Sequence, residues 1–356
     1  MEIASFQRLR CGGGAGTLRS DERRVEERMS EVSGTRNARG DWQPAERVGA
    51  LPIWTWPPQP LEALKWVVGN PGYLFPWYTV YFVIAVVTWA YLTPEMARMV
   101  EFRAGWIAEI YVRNLGLLVL WAGGWHVRLY RFKSQGTEHK FSHQWLHGKS
   151  PTFLWGSQLR DNVFWCIASG CTVWTAYEVA LMWGYANEFI VFVDWRTEPV
   201  TFTLMMLAIP LVREVHFYWT HRLIHWKPLY RTVHYLHHKN INIGPWSGIS
   251  MHPVEHIIYF SVAWLFWIVP SHPLMVLLTL QDAALAPAPG HSGFDPLVVK
   301  GKHTLPGNFF HYLHHCYFEC NYGNPMIPFD KWLGVFHDGT PEGHVRMTEK
   351  WARSRT

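Results

Sequence analysis

Residues 200–219 read VTFTLMMLAIPLVREVHFYW, and after Thr220 comes HRLIH at 221–225. The stretch is apolar for most of its length and turns polar at its end. About 20 apolar residues of helix, rising about 1.5 Å each, cross the hydrocarbon core of a bilayer. The predicted element is a membrane-crossing helix that leads straight into His221 and His225. These lie four apart, so a helix sets them on one face, one turn from each other.

Three earlier stretches have similar length. They are FPWYTVYFVIAVVTWAYL at 75–92, WIAEIYVRNLGLLVLWAGGW at 106–125 and VFWCIASGCTVWTAYEVALMWGY at 163–185. Four such lengths in one chain point to four spans rather than to buried helices of a large soluble core. A fifth apolar region, IIYFSVAWLFWIVPSHPLMVLLTLQDAALAPAPG at 257–290, is broken by Pro270 and Pro273. Each half is only about 20 Å of helix, short for a span. A hairpin that enters the membrane and returns to the same face is expected. Composition agrees: 49% of the 356 residues are hydrophobic, 17% are charged, and there are 22 Trp and 15 Tyr. Such abundance of Trp and Tyr suits aromatic belts at two membrane surfaces.

The loops give an orientation. Residues 126–162 carry Arg128, Arg131, Lys133, Lys140, Lys149 and Arg160 against Glu138 and Asp161; residues 186–199 carry Glu188, Asp194 and Glu198 against Arg196. The positive-inside rule places the first loop in the cytoplasm and the second outside. Residues from 216 onward then emerge on the cytoplasmic side, and the hairpin returns the chain there before residue 291.

Residues 1–50 are Gly-rich and charged and are expected to be disordered, without a secretory signal. LPIWTWPPQPLEALKW at 51–66 is expected at a membrane surface. The expected division is a disordered segment over 1–50, a membrane region with two spans and the basic loop over 51–160, a catalytic domain over 161–340, and a tail over 341–356. A net charge of +5, with no basic stripe, gives no nucleic-acid partner. Five cysteines without framework spacing do not suggest an oxidised scaffold; Cys316 and Cys320 read as packing residues. There is no G-x-S-x-G elbow and no P-loop.

Fourteen of the 20 histidines fall between 216 and 315. HYLHH occurs at 234–238 and again, letter for letter, at 311–315. In each copy the first histidine meets the others at i+3 and i+4 on a helix. His252, His256 and His291 lie between the copies. Neutral imidazole is the commonest protein metal ligand, and eight or more exceed what one ion takes. Two ions a few ångströms apart are expected. His126, His272, His337 and His344 read as ordinary polar residues. So do His139, His143 and His147 in HKFSHQWLH, which have no second cluster to close a site.

At HRLIH and the two HYLHH boxes the chain resembles the fatty acid hydroxylase/sterol desaturase superfamily. MHP at 251–253, GHSG at 290–293, NYG at 321–323 and FDKWLG at 329–334 also match. The resemblance covers roughly residues 160–340; the nearest subfamily, on HRLIH, MHP and NYG, is the lathosterol-type C-5 sterol desaturases. It implies an all-α integral membrane protein with a cytoplasmic-face helical cap carrying the histidine boxes. It implies two iron ions, O2 as co-substrate, and hydroxylation or desaturation of a C–H bond on a sterol or fatty-acyl lipid. Electrons would come from a cytoplasmic donor of the cytochrome b5 or ferredoxin type. The ligands it implies are His221, His225, His234, His237, His238, His291, His311, His314 and His315. His216, His252 and His256 are further ligands or donors that hold a ligand in place. Glu214, Glu255 and Asp282 are carboxylates for orienting imidazoles. For Glu214 and Glu255, pairing with Arg213 or Arg222 is the alternative. Two other readings remain: a histidine-rich membrane protein that binds or transports zinc, and a silent family member holding zinc.

Overall fold

Helices cover most of this computed structural model, which describes residues 34–37, 40–45, 48–49, 51–299, 303–305 and 307–354. The helices are α1 (Pro60–Val68), α2 (Trp77–Tyr91), α3 (Ala104–His126), α4 (Gln158–Trp165) and α5 (Thr172–Ala186), then α6 (Pro199–Ile224), α7 (Tyr235–His238), α8 (Pro253–Phe260), α9 (Pro273–Leu285), α10 (Phe309–Tyr317) and α11 (Pro341–Ser354). Two antiparallel hairpins, β1 (Gly34–Arg36) with β2 (Trp42–Pro44) and β3 (Leu297–Val299) with β4 (His303–Leu305), are the only sheets among the described residues.

Each predicted apolar stretch is helical. Between α4 and α5 the chain keeps helical dihedrals through the π turn Cys166–Cys171. By length and composition, only α6 among the described residues is long and apolar enough to cross a membrane, and α2 falls short at 15 residues. The expected count of four spans is therefore not reproduced by that measure. Glu109 and Arg113 lower the hydropathy of α3, and the π turn divides the third stretch. Inside the bundle Arg113 pairs with Glu178 of α5, and Asn114 donates to the same carboxylate at 3.1 Å. A buried charge without such partners would be strongly unfavourable.

The outward side of α6 shows Val200, Leu204, Leu207, Leu211, Val215, Trp219 and Leu223 exposed, while Met206, Ile209 and Tyr218 face inward. The helix is thus apolar on both sides. One continuous core joins the inner sides of α2, α3, α5 and α6. At its centre stands α9, nearly all of whose residues are buried.

The proline-broken region does fold back, and it reaches deeper than its halves suggest. From α8 the chain runs through a 3-10 turn, Ser261–Trp267, reverses at 268–272, and returns as α9. At the reversal Ser271 donates to the Val191 carbonyl at 2.9 Å, and its own carbonyl accepts from the Val193 amide at 3.0 Å. The tip therefore meets loop 186–199, at the end of the bundle away from the histidine boxes. Prolines open both arms: Pro253 and Pro273 take the first helical position, where their missing N–H costs nothing. His252 and His272 cap these helices, their Nδ1 atoms accepting from Val254 N at 3.2 Å and Leu274 N at 3.0 Å. Gly184 lets α5 approach the first arm; a Cβ there would lie 2.8 Å from the Trp267 ring.

Disorder was expected throughout 1–50, and the described part of that segment corrects this. Trp42 of β2 is buried and stacks on Phe141, which stacks on Tyr312 of α10 at 4.6 Å between centroids. An aromatic anchor is thus enough to fold a locally polar segment. Residues 1–33 lie outside the described residues. Lys140, read from sequence as a topology charge, is buried; it donates to the carbonyls of Ser142 and Gln144 at 2.9 and 2.8 Å, beside Tyr130, Trp145 and Phe294.

Candidate metal centre

The last turn of α6 carries His221, and His225 caps its C-terminal end. After Trp226 the chain turns through Lys227–Leu229 and a π turn, Tyr230–His234, into α7. Alpha-helix α10 brings the second HYLHH copy, its Asn308 side chain capping the His311 amide at 3.0 Å. His291 follows the turn Pro287–Gly290. Gly248 fixes that turn: a Cβ there would sit 2.6 Å from the Pro287 carbonyl oxygen.

All nine predicted ligands converge. They form two groups, His221, His225, His234, His238 and His314, then His237, His291, His311 and His315; ligand atoms within each group lie within 4.8 Å of one another. The two copies of HYLHH contribute crosswise. The first gives its i, i+4 pair, His234 and His238, to the larger group and His237 to the smaller. The second gives His311 and His315 to the smaller group and His314 to the larger.

The ring nitrogens fit a cation. In the larger group, His225 Nε2 has three nitrogen neighbours, on His234 at 3.1 Å, His238 at 3.2 Å and His314 at 3.2 Å. One proton cannot bridge three nitrogens. The far nitrogens sharpen the point. His221 Nδ1 donates to the Tyr322 carbonyl at 2.5 Å and His314 Nδ1 to the Cys320 carbonyl at 2.7 Å. A carbonyl only accepts, so these neutral rings present bare lone pairs on Nε2. In the smaller group His291 does the same through the Pro287 carbonyl at 3.0 Å, and its Nε2 lies 3.1 Å from those of His311 and His315. Facing lone pairs repel unless a positive centre lies between them. Nitrogens about 2.1 Å from one ion, at right angles, are about 3.0 Å apart, the spacing found here.

Burial, then the neighbouring imidazoles, push His234, His237, His238, His311, His314 and His315 well below the usual histidine range, and burial brings His291 to about 4. These rings are neutral at pH 7, which is the metal-binding form.

The supporting carboxylates divide. Glu255 does orient an imidazole, His234 Nδ1 lying 2.7 Å from its Oε1. Glu214 does not, nor does it pair with Arg213 or Arg222; it accepts from the Asn324 amide and side chain at 2.7 and 2.9 Å. Asp282 also departs from expectation, being held by Arg213 at 2.8 Å. The three further histidines lie outside both groups. His216 meets Ser261 Oγ at 2.8 Å, His252 caps α8, and His256 lies between Ser169 Oγ and the Ile249 carbonyl at 2.9 and 3.0 Å. Each has its own polar partner. His139, His143 and His147 also stay apart; His143 meets Asp41 at 2.9 Å.

Sequence reasoning missed the backbone acceptors. The Tyr322 carbonyl that fixes His221 is itself held by Asp330, which accepts from the amides of Tyr322 and Gly323 at 2.8 and 2.9 Å. The motifs NYG and FDKWLG were visible, but the hydrogen bond joining them had no sequence signature.

A cavity of about 290 Å³ opens beside both groups. His221, His234, His237, His291 and His311 form one end, and Tyr73, Tyr78, Ile209, Arg213, Leu278 and Asp282 line it farther along.

Residues 206–335 match the family model described as Fatty acid hydroxylase. A Delta(7)-sterol 5(6)-desaturase of Gibberella zeae is 29% identical over 35% of this chain and 39% of its own. A Delta(7)-sterol-C5(6)-desaturase of Nicotiana tabacum is 30% identical over 38% of this chain and 51% of its own. A very-long-chain aldehyde decarbonylase of Arabidopsis thaliana is 27% identical over 44% of this chain and 27% of its own. The chain thus spans between about a quarter and half of the length of these relatives. No solved structure matches it.

Proposed function

From the match of residues 206–335 to the Fatty acid hydroxylase family model and the likeness to sterol desaturases, we propose that this chain is a member of the fatty acid hydroxylase/sterol desaturase superfamily and a membrane-embedded oxidase of lipid C–H bonds. The observation that carries the reading is the convergence of nine buried imidazoles into two groups beside one cavity. His221, His225, His234, His238 and His314 would hold one iron, and His237, His291, His311 and His315 a second. A pair of irons so held supplies the redox chemistry an unactivated C–H bond requires, with O2 as oxidant and electrons from a cytochrome b5- or ferredoxin-type donor.

The chain's own part is binding and orientation. The carbonyls of Tyr322, Cys320 and Pro287 and the Glu255 carboxylate hold four rings by Nδ1, so that Nε2 faces inward. Phe217 stacks on His221 at 5.0 Å between centroids, giving the cavity an apolar wall next to the ligands. That wall, together with Trp77, Ile209 and Leu278, would give the C–H bond to be oxidised apolar surroundings.

We read the four apolar stretches as spans, with α8 and α9 as a hairpin between them. The exposed apolar side of α6 supports this. So does the separation of the loops. The basic loop packs on α10 through Phe141, while the acidic loop meets the hairpin tip. On the positive-inside rule the histidines face the cytoplasm. Residues 161–340 are the catalytic unit, and 51–160 complete it, since Tyr73, Trp77, Tyr78 and Tyr81 line the cavity. Residues 341–356 form a tail that includes α11.

The test is metal analysis of purified protein, coupled with lipid profiling of cells with and without the gene. The expected result is two irons per chain and a lipid species gained or lost. Zinc alone with an unchanged lipid profile would overturn the reading in favour of a zinc-binding protein.

A further inference from the structure

The cavity has a second polar end that the metal chemistry does not use. Arg213 of α6 and Asp282 of α9 pair at 2.8 Å across it, and both keep some exposure, 20% and 13%. The other Arg213 nitrogen donates to the Tyr259 hydroxyl at 3.3 Å, which in turn donates to the Ala283 carbonyl at 2.8 Å. Between this pair and the imidazoles the cavity is walled by Ile209, Phe217 and Leu278, and Glu214, Thr220, Glu255, Asn308 and Asn324 also line it. A charged pair among apolar helices is unfavourable unless it is satisfied; unlike the Arg113–Glu178 pair, this one faces the cavity, where a charged group is a candidate for function.

The chemistry of the pair selects its ligand. The positive charge of Arg213 is already matched by Asp282, so an incoming carboxylate or sulfate would meet an unbalanced acid. A neutral hydroxyl meets both halves of its needs, donating to the carboxylate and accepting from the guanidinium. We infer that the Arg213–Asp282 pair anchors the hydroxyl group of a lipid alcohol in the cavity, with the oxidised carbon lying well along the lipid from it. This rests on the lipid-oxidase reading above and narrows its substrate class.

Two helices give the same distance. Arg213 precedes His221 by eight residues on α6, and Asp282 precedes His291 by nine along α9 and the turn after it. At about 1.5 Å per residue, the two runs are roughly 12 and 13.5 Å. Phe217 lies midway along the first run, stacked on His221 and edge-on to Tyr259. A lipid held by its hydroxyl at one end is thus threaded past an aromatic wall towards the imidazoles.

The test is equilibrium binding of two radiolabelled pairs to full-length, iron-loaded protein in detergent: 1-octadecanol with stearic acid, and cholesterol with cholesterol sulfate. Wild type should bind the alcohol of at least one pair more tightly than the acid by at least about tenfold, as like-charge juxtaposition requires. Asp282→Asn leaves Arg213 unmatched, so it should strengthen binding of the acid and reverse the preference, a gain that mere loss of packing would not produce. The neutral double variant Arg213→Gln/Asp282→Asn covers the case in which the single variant fails to fold; it should erase the preference without reversing it. If octadecanol is turned over, oxidation should fall near mid-chain. Equal binding of alcohol and acid by wild type, an unchanged preference in the variants, or oxidation next to the hydroxyl would overturn the inference while leaving the oxidase standing. No binding of either pair, with no lipid change in cells, would remove both.

Discussion

The two HYLHH copies, 234–238 and 311–315, are identical in sequence and unequal in surroundings. In the first copy the leading histidine is held by Glu255; its counterpart His311 has no partner for Nδ1 among the described residues. At the i+3 position the situation is reversed: His314 is held by the Cys320 carbonyl at 2.7 Å, whereas Nδ1 of His237 has no hydrogen bond that close among the described residues and meets only the backbone of Ser250. Among the described residues, three of five rings in the larger group are held by close hydrogen bonds at their outer nitrogens, His221, His234 and His314; in the smaller group His291 is so held, and His237 has the looser Ser250 backbone contact. The lesson is that the box supplies ligands and the neighbouring chain decides how rigidly they are held.

The strongest challenge to this comparison removes a residue that crosses between groups. His237→Ala should abolish turnover and reduce metal content from two towards one, while the protein still inserts in the membrane. Retained activity would break the ligand assignment at its centre. Next, Glu255→Gln should weaken metal binding at the larger group by roughly 10–100-fold, the usual effect of losing an outer partner. It should leave the smaller group's affinity unchanged, as read by isothermal titration with Fe(II). A chelator titration comes third: metal should leave in two phases, the smaller group emptying first because its rings are less constrained. A single phase would mean the two groups are equally rigid. The smallest expected effect is a null one. His143→Ala and His147→Ala should leave metal content and turnover unchanged, because both rings lie outside the groups.

Much of this was legible. Spacing alone put His221 and His225, and each HYLHH triplet, on single helix faces, and the nine residues named from the boxes and GHSG are the nine that converge. Three kinds of information were not available from residue letters. The crosswise sharing depends on how α7 and α10 face each other, and identical strings cannot encode it. Backbone carbonyls fix three rings, and every residue has one, so Tyr322, Cys320 and Pro287 carried no signal. Asp282 was expected to orient an imidazole, but its partner is Arg213, 69 positions away on another helix. The hairpin was expected from Pro270 and Pro273. Its depth was not, because the hydrogen bonds of Ser271 to loop 186–199 are tertiary.

That hairpin also sets an order of assembly. Ligands on one side of it, 221–238, are synthesised before it, and those on the other side, 291–315, after it. Helix α9 is enclosed on nearly all sides, so it has a stable place only once α2, α5 and α6 surround it. A ribosome that has made the first HYLHH copy has therefore made only half a coordination sphere. On the proposed function, metal uptake would serve as a maturation checkpoint: a chain holding two metals would be one that has closed its hairpin.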